Sequence, residues 1–442
     1  MREPHPVDPF VLRQLDVETE ARARASRAVA SSAAGAPDEV LHKLAKAVDG
    51  LRDELLTASH DLAEHPEVSF EEHRSAAALA DLVEGHGVAV TRGAHGLETA
   101  LRAEVSGGDG PTIAILSEYD ALPGVGHGCG HNVIATAGLG AFLALAALAG
   151  HSGERLPGRV VWLGTPAEEG GGGKELMARD GAFDDIDAAV MVHPFGYDLA
   201  EPVFLGRRQL RVTYTGIAAH ASIQPFMGRN ALDAAHLLYT GVALNRQQMP
   251  PFDRVHAVIS DGGVRPNVIP ERAEVVFYVR SQYAEELSLL STRLEEIAHG
   301  AALMTGCGVE LAWDESPAYL PLRNNTPLAQ AWNRRYAERG RSLLAAGVLP
   351  DLLAGSTDFG NVSFRIPGLH AMVKIAEPQV SLHSHEFAAA AVTEAADATV
   401  LDAAYGLAGV AADYLWDGEL RQAVADDFAA AGGAVDVSTY FD

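Results

Sequence analysis

The sequence predicts an α/β protein: a mostly parallel sheet flanked by helices, interrupted by an inserted α+β domain of ferredoxin-like strand order. Three observations carry this reading. Thr112 to Leu116, Arg159 to Thr165 and Ala188 to Val192 are short apolar runs of buried-strand length. Each is followed by a polar or Gly/Pro-broken segment. At 442 residues, the chain is longer than one typical core, so two domains are expected.

The elements follow in order. Residues 1–37 are rich in Ala, Arg and Ser and read as an N-terminal extension, a helix packing outside the main fold. Leu41 to Glu64 carries Leu, Ala and Val at helical spacing. The main domain takes 38–205 and returns at 320–442, so it is discontinuous. Between them, 206–319 reads as βαββαβ. Its strands are Gln209 to Gly216, Val255 to Ser260, Ala273 to Arg280 and Val309 to Trp313. Its helices are Asn230 to Gln248, with Leu232, Ala235, Leu238 and Val242 on one face, and Glu285 to Met304. Farther on, Ala388 to about Ala411 reads as one Ala-rich helix, and the acidic tail from Asp413 to Asp442 carries no readable signal.

Composition narrows the function classes. The formal charge, 33 minus 59, is −26, which argues against nucleic acid and acidic membrane surfaces as partners. Cys129 and Cys307 are the only cysteines, so a disulfide framework is not expected and a reducing compartment is. The start of the chain lacks a basic-then-apolar leader pattern, and no uninterrupted apolar stretch of about 18 residues, long enough to span a membrane, is expected. The expectation is a cytoplasmic enzyme.

Chemistry concentrates where the apolar runs end. After the first come Glu118-Tyr119-Asp120-Ala121-Leu122-Pro123 and then His127-Gly128-Cys129-Gly130-His131-Asn132. After the second come Glu168-Glu169 and four glycines, and the third ends on His193-Pro194. The carboxyl end of strands in an open α/β sheet is where ligands bind. Cys and His are borderline-soft donors that suit a transition metal rather than Ca²⁺ or Mg²⁺. Each feature alone has an ordinary reading. A lone buried Cys is usually core, glutamates favour helix starts, and His383-Ser384-His385 could be a polar turn. Three strand ends delivering ligand-type residues together point to a metal site in a cleft, and so to hydrolysis.

At this point the motifs carry a resemblance. Asp120-Ala121-Leu122-Pro123, Gly128-Cys129-Gly130-His131, Glu168-Glu169 with its glycine run, Ala219-His220-Ala221 and Asn267-Val268-Ile269-Pro270 follow one family's order. The chain resembles the amidohydrolase branch of the aminoacylase/carboxypeptidase-type dinuclear metallopeptidases over about Leu41 to Gly409. Within that branch it is most similar to the aminobenzoyl-glutamate and β-alanyl-dipeptide hydrolases.

The resemblance implies two divalent transition-metal ions per subunit, Mn²⁺ or Zn²⁺ first, with Co²⁺ or Ni²⁺ as alternatives. Cys129, His131, Glu169, His193 and His383 would ligate them, Cys129 as the bridge. Glu168 would be the general base on a metal-acidified water, handing its proton to the leaving amine. Asp120 would orient a ligand. Glu118 and His127 read as supporting residues, and His385 as the weaker alternative to His383. The inserted domain would be a lid and dimerisation domain whose His220 reaches a neighbouring subunit's site and polarises the scissile carbonyl. Asn267 and Arg280 would grip a carboxylate on a small-molecule substrate. The implied activity is cleavage of the amide bond of an N-acyl or N-aroyl amino acid or small dipeptide by a homodimer. Hydrolytic deamination of an activated aminoaromatic acid in the same site, or a non-catalytic binding homologue, are the alternatives.

Overall fold

A computed structural model describes residues 8–151, 156–351 and 354–441; the first seven residues of the expected extension lie outside them. The chain divides into two compact units. One holds the chain through Pro202, Arg323–Ala354 and Val362–Asp436; the other holds Val203–Leu322, Gly355–Asn361 and the stretch from Val437.

The first unit is built on a six-stranded sheet. Its strands are β1 (Val90–Arg92), β2 (Leu101–Ser106), β3 (Thr112–Glu118), β4 (Arg159–Thr165), β5 (Ala188–Phe195) and, after the second unit's four, β10 (Gly368–Lys374). Their order is β1-β2-β4-β3-β5-β10. β3 pairs in parallel with β4 and β5, and β5 with β10, whereas β1 and β2 add an antiparallel edge. Every residue of β3 is buried, as expected for a central parallel strand covered on both faces. The three strands β4, β3 and β5 lie side by side and run the same way, so their carboxyl ends reach one edge of the sheet.

Helix His131–His151 follows the loop after β3 and packs on the sheet, with Glu394–Trp416 against it. Here one expectation is corrected. His131–Gly150 is long and apolar enough to cross a membrane. Most of it is buried inside this unit, as in the core helix of a globular domain. Two expected helices are each divided. Leu51 separates Asp38–Gly50 from Arg52–Glu64. Ala391 to Thr393 separates His385–Ala390 from Glu394–Trp416, because Thr393 caps the second helix by accepting from the Ala396 N–H.

The tail is also informative. Asp413, fully buried, accepts from the Arg335 guanidinium at 2.6 and 2.8 Å, from Arg334 at 2.8 Å and from the Ala36 N–H at 2.8 Å. Asp417 accepts from the Gly35 N–H at 2.7 Å. These carboxylates tie the end of the N-terminal extension to the C-terminal helices. Helix Phe10–Ala25 buries only Thr19.

The second unit holds β6 (Gly206–Thr215), β7 (Arg254–Asp261), β8 (Arg272–Ser281) and β9 (Gly308–Trp313), all antiparallel, in the order β7-β8-β6-β9. Helices Ala231–Asn245 and Ala284–Thr305 cover one face, burying Leu238, Val242, Leu287 and Leu294 against Leu210, Val212, Val275 and Phe277. The Asn230 side chain caps the first helix by accepting from the Leu232 N–H.

Asp413→Ala leaves two arginines facing a buried void. It should destabilise the protein by about 3–5 kcal/mol, read as a lower urea midpoint with unchanged slope. A loss below about 1 kcal/mol, the scale of an exposed pair, would contradict the role given to this cluster.

Candidate metal centre

The carboxyl ends of β3, β4 and β5 assemble one cluster in the first unit. Single donor atoms of Cys129, His131 and His193 lie within 4.8 Å of one another. The same holds for Cys129, Glu169 and His383, and for His131, Glu168 and Glu169. Cys129, His131 and Glu169 are each shared between two of these triads, so the donors surround one volume.

Local structure explains each placement. Gly130, between Cys129 and His131, has φ +74° and a Cβ there would sit 2.8 Å from the Pro194 ring. Only glycine both turns the chain and lets the His193-Pro194 strand end close on Cys129. His383 comes from the loop after β10. Its N–H donates to the Gly128 carbonyl at 3.0 Å, which holds it beside the Cys129 loop with its Nε2 3.6 Å from Glu169 Oε2. Ser384 instead caps the helix His385–Ala390, and His385, in that helix, joins no such triad among the described residues.

Hydrogen bonds set the ligand tautomers. Asp120 Oδ1 lies 3.0 Å from His131 Nδ1, so Nδ1 donates to it and Nε2 is the nitrogen left to ligate. The Pro194 carbonyl does the same for His193, 2.8 Å from its Nδ1. Although burial opposes it, the bond to Asp120 and the nearby carboxylates push the His131 imidazole well above its ordinary value, so a metal ion there would displace the Nε2 proton. Asp120 Oδ2 also accepts from Ser69 Oγ at 2.8 Å and from the Glu169 N–H at 3.0 Å. Burial pushes Asp120 up, but these bonds and the His131 charge outweigh it and bring it to about 2. Asp120 is therefore an ionised anchor.

His131 Nε2 and Glu169 Oε1 are buried and have no hydrogen-bond partner among the described residues. Orphaned buried polar atoms are costly, and here they are an imidazole nitrogen and a carboxylate oxygen facing the same volume. Imidazole, thiol and carboxylate donors so arranged fit borderline divalent ions. Burial brings His193 to about 4, aided by the neighbouring His131 charge, which leaves it neutral and able to ligate. Burial, with Glu169 nearby, pushes the Cys129 thiol well above its ordinary value.

Around these ligands lie further buried groups, of which Lys174 and His370 escape the sequence reading. Glu118 is fully buried, and although burial pushes it up, the Lys174 and His131 charges outweigh this and lower it. Lys174, also fully buried, donates to Glu118 Oε1, while Glu118 Oε2 lies 3.6 Å from His131 Nε2. His370, on β10, stacks on His193 with ring centroids 5.7 Å apart, and burial lowers it to about 3. His127 is buried and likewise lowered to about 4.

His220, Asn267 and Arg280 belong to the second unit. His220 is exposed. The Ala221 N–H donates to the Asn267 carbonyl at 3.1 Å, and the Ile269 N–H to that of Ala219 at 3.0 Å, so the two motifs run side by side. The Ser222 and Ile223 N–H groups, each 3.3 Å away, donate to His220 Nδ1, leaving the proton on Nε2. Arg280 faces Arg207 directly across β8 and β6. Their guanidiniums lie 5.2 and 5.0 Å from the same Tyr278 ring centroid, and Arg207 also stacks on Tyr319 at 4.0 Å. Neither arginine pairs with a carboxylate among the described residues, and Arg207 Nε is buried without a partner. The paired Arg207-Arg208 at the strand start is the signal in the sequence that points to it.

This fold with this cluster defines a hydrolase of amide bonds. The chain belongs to peptidase family M20/M25/M40, whose model matches residues 114–405. The Xaa-Arg dipeptidase of Mus musculus is 36% identical over 407 residues, covering 90% of this chain and 94% of that protein. A p-aminobenzoyl-glutamate hydrolase subunit of Escherichia coli K12 is 31% identical, covering 87% and 94%. Among solved structures, the aminobenzoyl-glutamate utilization protein of Klebsiella pneumoniae superposes with TM-score 0.67 at 22% identity, over 84% of this chain and 98% of that one. The YXEP protein of Bacillus subtilis, a dinuclear metal-binding M20 peptidase, gives 0.64 at 22%, over 83% and 99%.

Because the Cys129 thiol keeps its proton without metal, Zn²⁺ binding should release protons and tighten as pH rises. Calorimetry in buffers of different ionisation heat reads this directly. Cys129→Ala should abolish part of that release and weaken Zn²⁺ by at least about tenfold, the scale at which even partners of metal ligands matter. Identical proton release in the variant would exclude Cys129 as a ligand.

Proposed function

We propose that this chain is a two-metal amidohydrolase cleaving the amide bond of an N-acyl or N-aroyl amino acid or a small dipeptide. The observation that carries the reading is the His131, Glu168 and Glu169 triad, which sets one carboxylate among ligand atoms and a second beside it. Glu168 and Glu169 lie in the turn after β4, where one oxygen of each is within 4.8 Å of a His131 donor atom, so adjacent glutamates can divide the work of ligand and base. Cys129, His131, Glu169, His193 and His383 would hold two divalent ions, Zn²⁺ or Mn²⁺ with Co²⁺ or Ni²⁺ as alternatives. When bound, the ions supply Lewis-acid polarisation of the scissile carbonyl and of water.

The chain's own residues do the rest. Glu168, buried and adjacent to the ligands, takes a proton from the attacking water and delivers it to the departing amine nitrogen. Asp120 keeps His131 in the ligating tautomer. His220, with a proton on Nε2, is a donor suited to the oxyanion that develops on the carbonyl. Arg280, with Arg207 beside it, offers planar guanidinium donors to the substrate carboxylate, and Asn267 adds a polar contact.

The second unit's surface supports assembly into a dimer. Ile223, Phe226 and Met227, a few residues beyond His220, are all more than half exposed, and Val264 is 96% exposed. Exposed apolar groups of this kind support a protein interface, and a two-fold dimer would both cover them and present His220 to a partner's centre. Cys129 and Cys307 are free thiols, which supports a reducing compartment such as the cytoplasm.

Glu168→Gln should lower kcat by about 10²–10⁴-fold, the contribution of general acid–base catalysis, with metal content by elemental analysis unchanged. Wild-type turnover, or loss of metal, would remove Glu168 from the role of base.

His220→Ala and Glu168→Gln proteins should each be nearly inactive. After subunit exchange, the mixture should regain activity, because one heterodimer site carries an intact Glu168 and a partner-derived intact His220. No recovery despite exchange shown by mass spectrometry would place His220 in cis or outside the mechanism.

A further inference from the structure

Glu72 is a fully buried carboxylate with no part in the reaction described above. It occupies the N-cap position of helix His73–Gly85, yet its side chain makes no cap hydrogen bond. It turns away instead. Oε1 accepts from the Phe70 N–H at 2.8 Å and from the Ala167 N–H at 2.9 Å, and Oε2 accepts from Thr99 Oγ1 at 2.8 Å. Phe70 and Ala167 are both non-glycine residues in the left-handed region, with φ +68° and +58°. Such conformations are disfavoured for residues with a Cβ and persist where surroundings over-determine them. One oxygen therefore restrains two disfavoured backbone positions, and Ala167 directly precedes Glu168.

The opposite side of Glu168 is fixed as well, since the Glu169 N–H donates to Asp120 Oδ2, which also takes Ser69 Oγ. Segment 69–72 thus grips segment 167–169 through two carboxylates, one on each side of Glu168. The glycine run is fitted to the same contact: a Cβ on Gly171 would lie 2.7 Å from the Phe70 ring and 2.8 Å from Ala167 Cβ.

We infer that Glu72 is a positioning residue that aims Glu168 by holding Ala167 in its left-handed conformation. The inference rests on Glu168 being the base. Glu72 acts through an acceptor oxygen rather than through charge, so an amide of the same shape should serve. In the Glu72→Gln variant the side-chain carbonyl can accept from both N–H groups while the NH₂ donates to Thr99 Oγ1.

The test uses full-length protein loaded with Zn²⁺. Glu72→Ala should lower kcat by about 10²-fold, the cost of roughly an ångström of misplacement, with KM and Zn²⁺ stoichiometry unchanged. Glu72→Gln should stay within a few-fold of wild type. Glu72→Ala combined with Ala167→Gly should recover much of the loss, because glycine adopts positive φ without the brace. Hydrogen exchange of a peptide covering 165–173 should quicken in Glu72→Ala and be normal in Glu72→Gln. Exchange reports the brace whether or not Glu168 is the base, so it separates failure of this inference from failure of the proposed mechanism. Unchanged exchange in folded Glu72→Ala, or equal losses in the Ala and Gln variants without rescue by Ala167→Gly, would overturn it. If Glu72→Ala does not fold, the inference stands or falls on Thr99→Val. Freeing Oε2 should quicken exchange over 165–173 and lower kcat at constant KM, and wild-type values for both would overturn it.

Discussion

Asp120 is the point where three pieces of chain converge on one carboxylate: the His131 imidazole, the Glu169 backbone and the Ser69 hydroxyl. It sits just past the end of β3, is 1% exposed, and receives donors from all three. A buried ionised carboxylate is tolerable only when so satisfied. Without it His131 would be free to choose either tautomer, and the backbone of the two glutamates would lose one of its supports. The ligand geometry thus depends on a residue that is not itself a ligand.

That junction exists because of the sheet. Parallel neighbours β4, β3 and β5 bring their carboxyl ends to one edge, so residues from three crossover loops meet without long excursions. Buried charges in this unit are matched, both beside the site and away from it. Lys174 offsets Glu118, Arg334 and Arg335 offset Asp413, and Asp120 offsets His131. His193 and His370 stay uncharged, as burial favours. Among the described residues, His131 Nε2 and Glu169 Oε1 are two of the buried atoms at the site without a hydrogen-bond partner, and under the proposed function a cation there would complete the balance.

Much of the fold is legible in the sequence because its signals are local. Fully buried strands such as β3 and β5 are continuous apolar runs, and the βαββαβ pattern of the second unit is read from alternating periodicity. The antiparallel edge formed by β1 and β2 gives weaker signals, since β1 has three residues, none of them buried. The long apolar helix after His131 gives no stripe to read, because it is apolar nearly all round and mostly buried. For the candidate site, residue types at strand ends are legible, but their supports are not. Glu72 reaches Ala167 across 95 residues and Lys174 reaches Glu118 across 56. In a pattern reading, a Glu in the run Glu71-Glu72-His73-Arg74 and a Lys after glycines look like solvated surface. Only three-dimensional packing turns them inward.

The central claim is that the carboxyl edge of the sheet holds two metal ions bridged by Cys129. Anomalous diffraction at the Zn²⁺ absorption edge, on crystals grown with that ion, tests it most directly. The account predicts two peaks about 3.5–4 Å apart, with Cys129 Sγ between them and His131 Nε2 on one ion. A single peak, or two ions with Cys129 turned away from both, would contradict it.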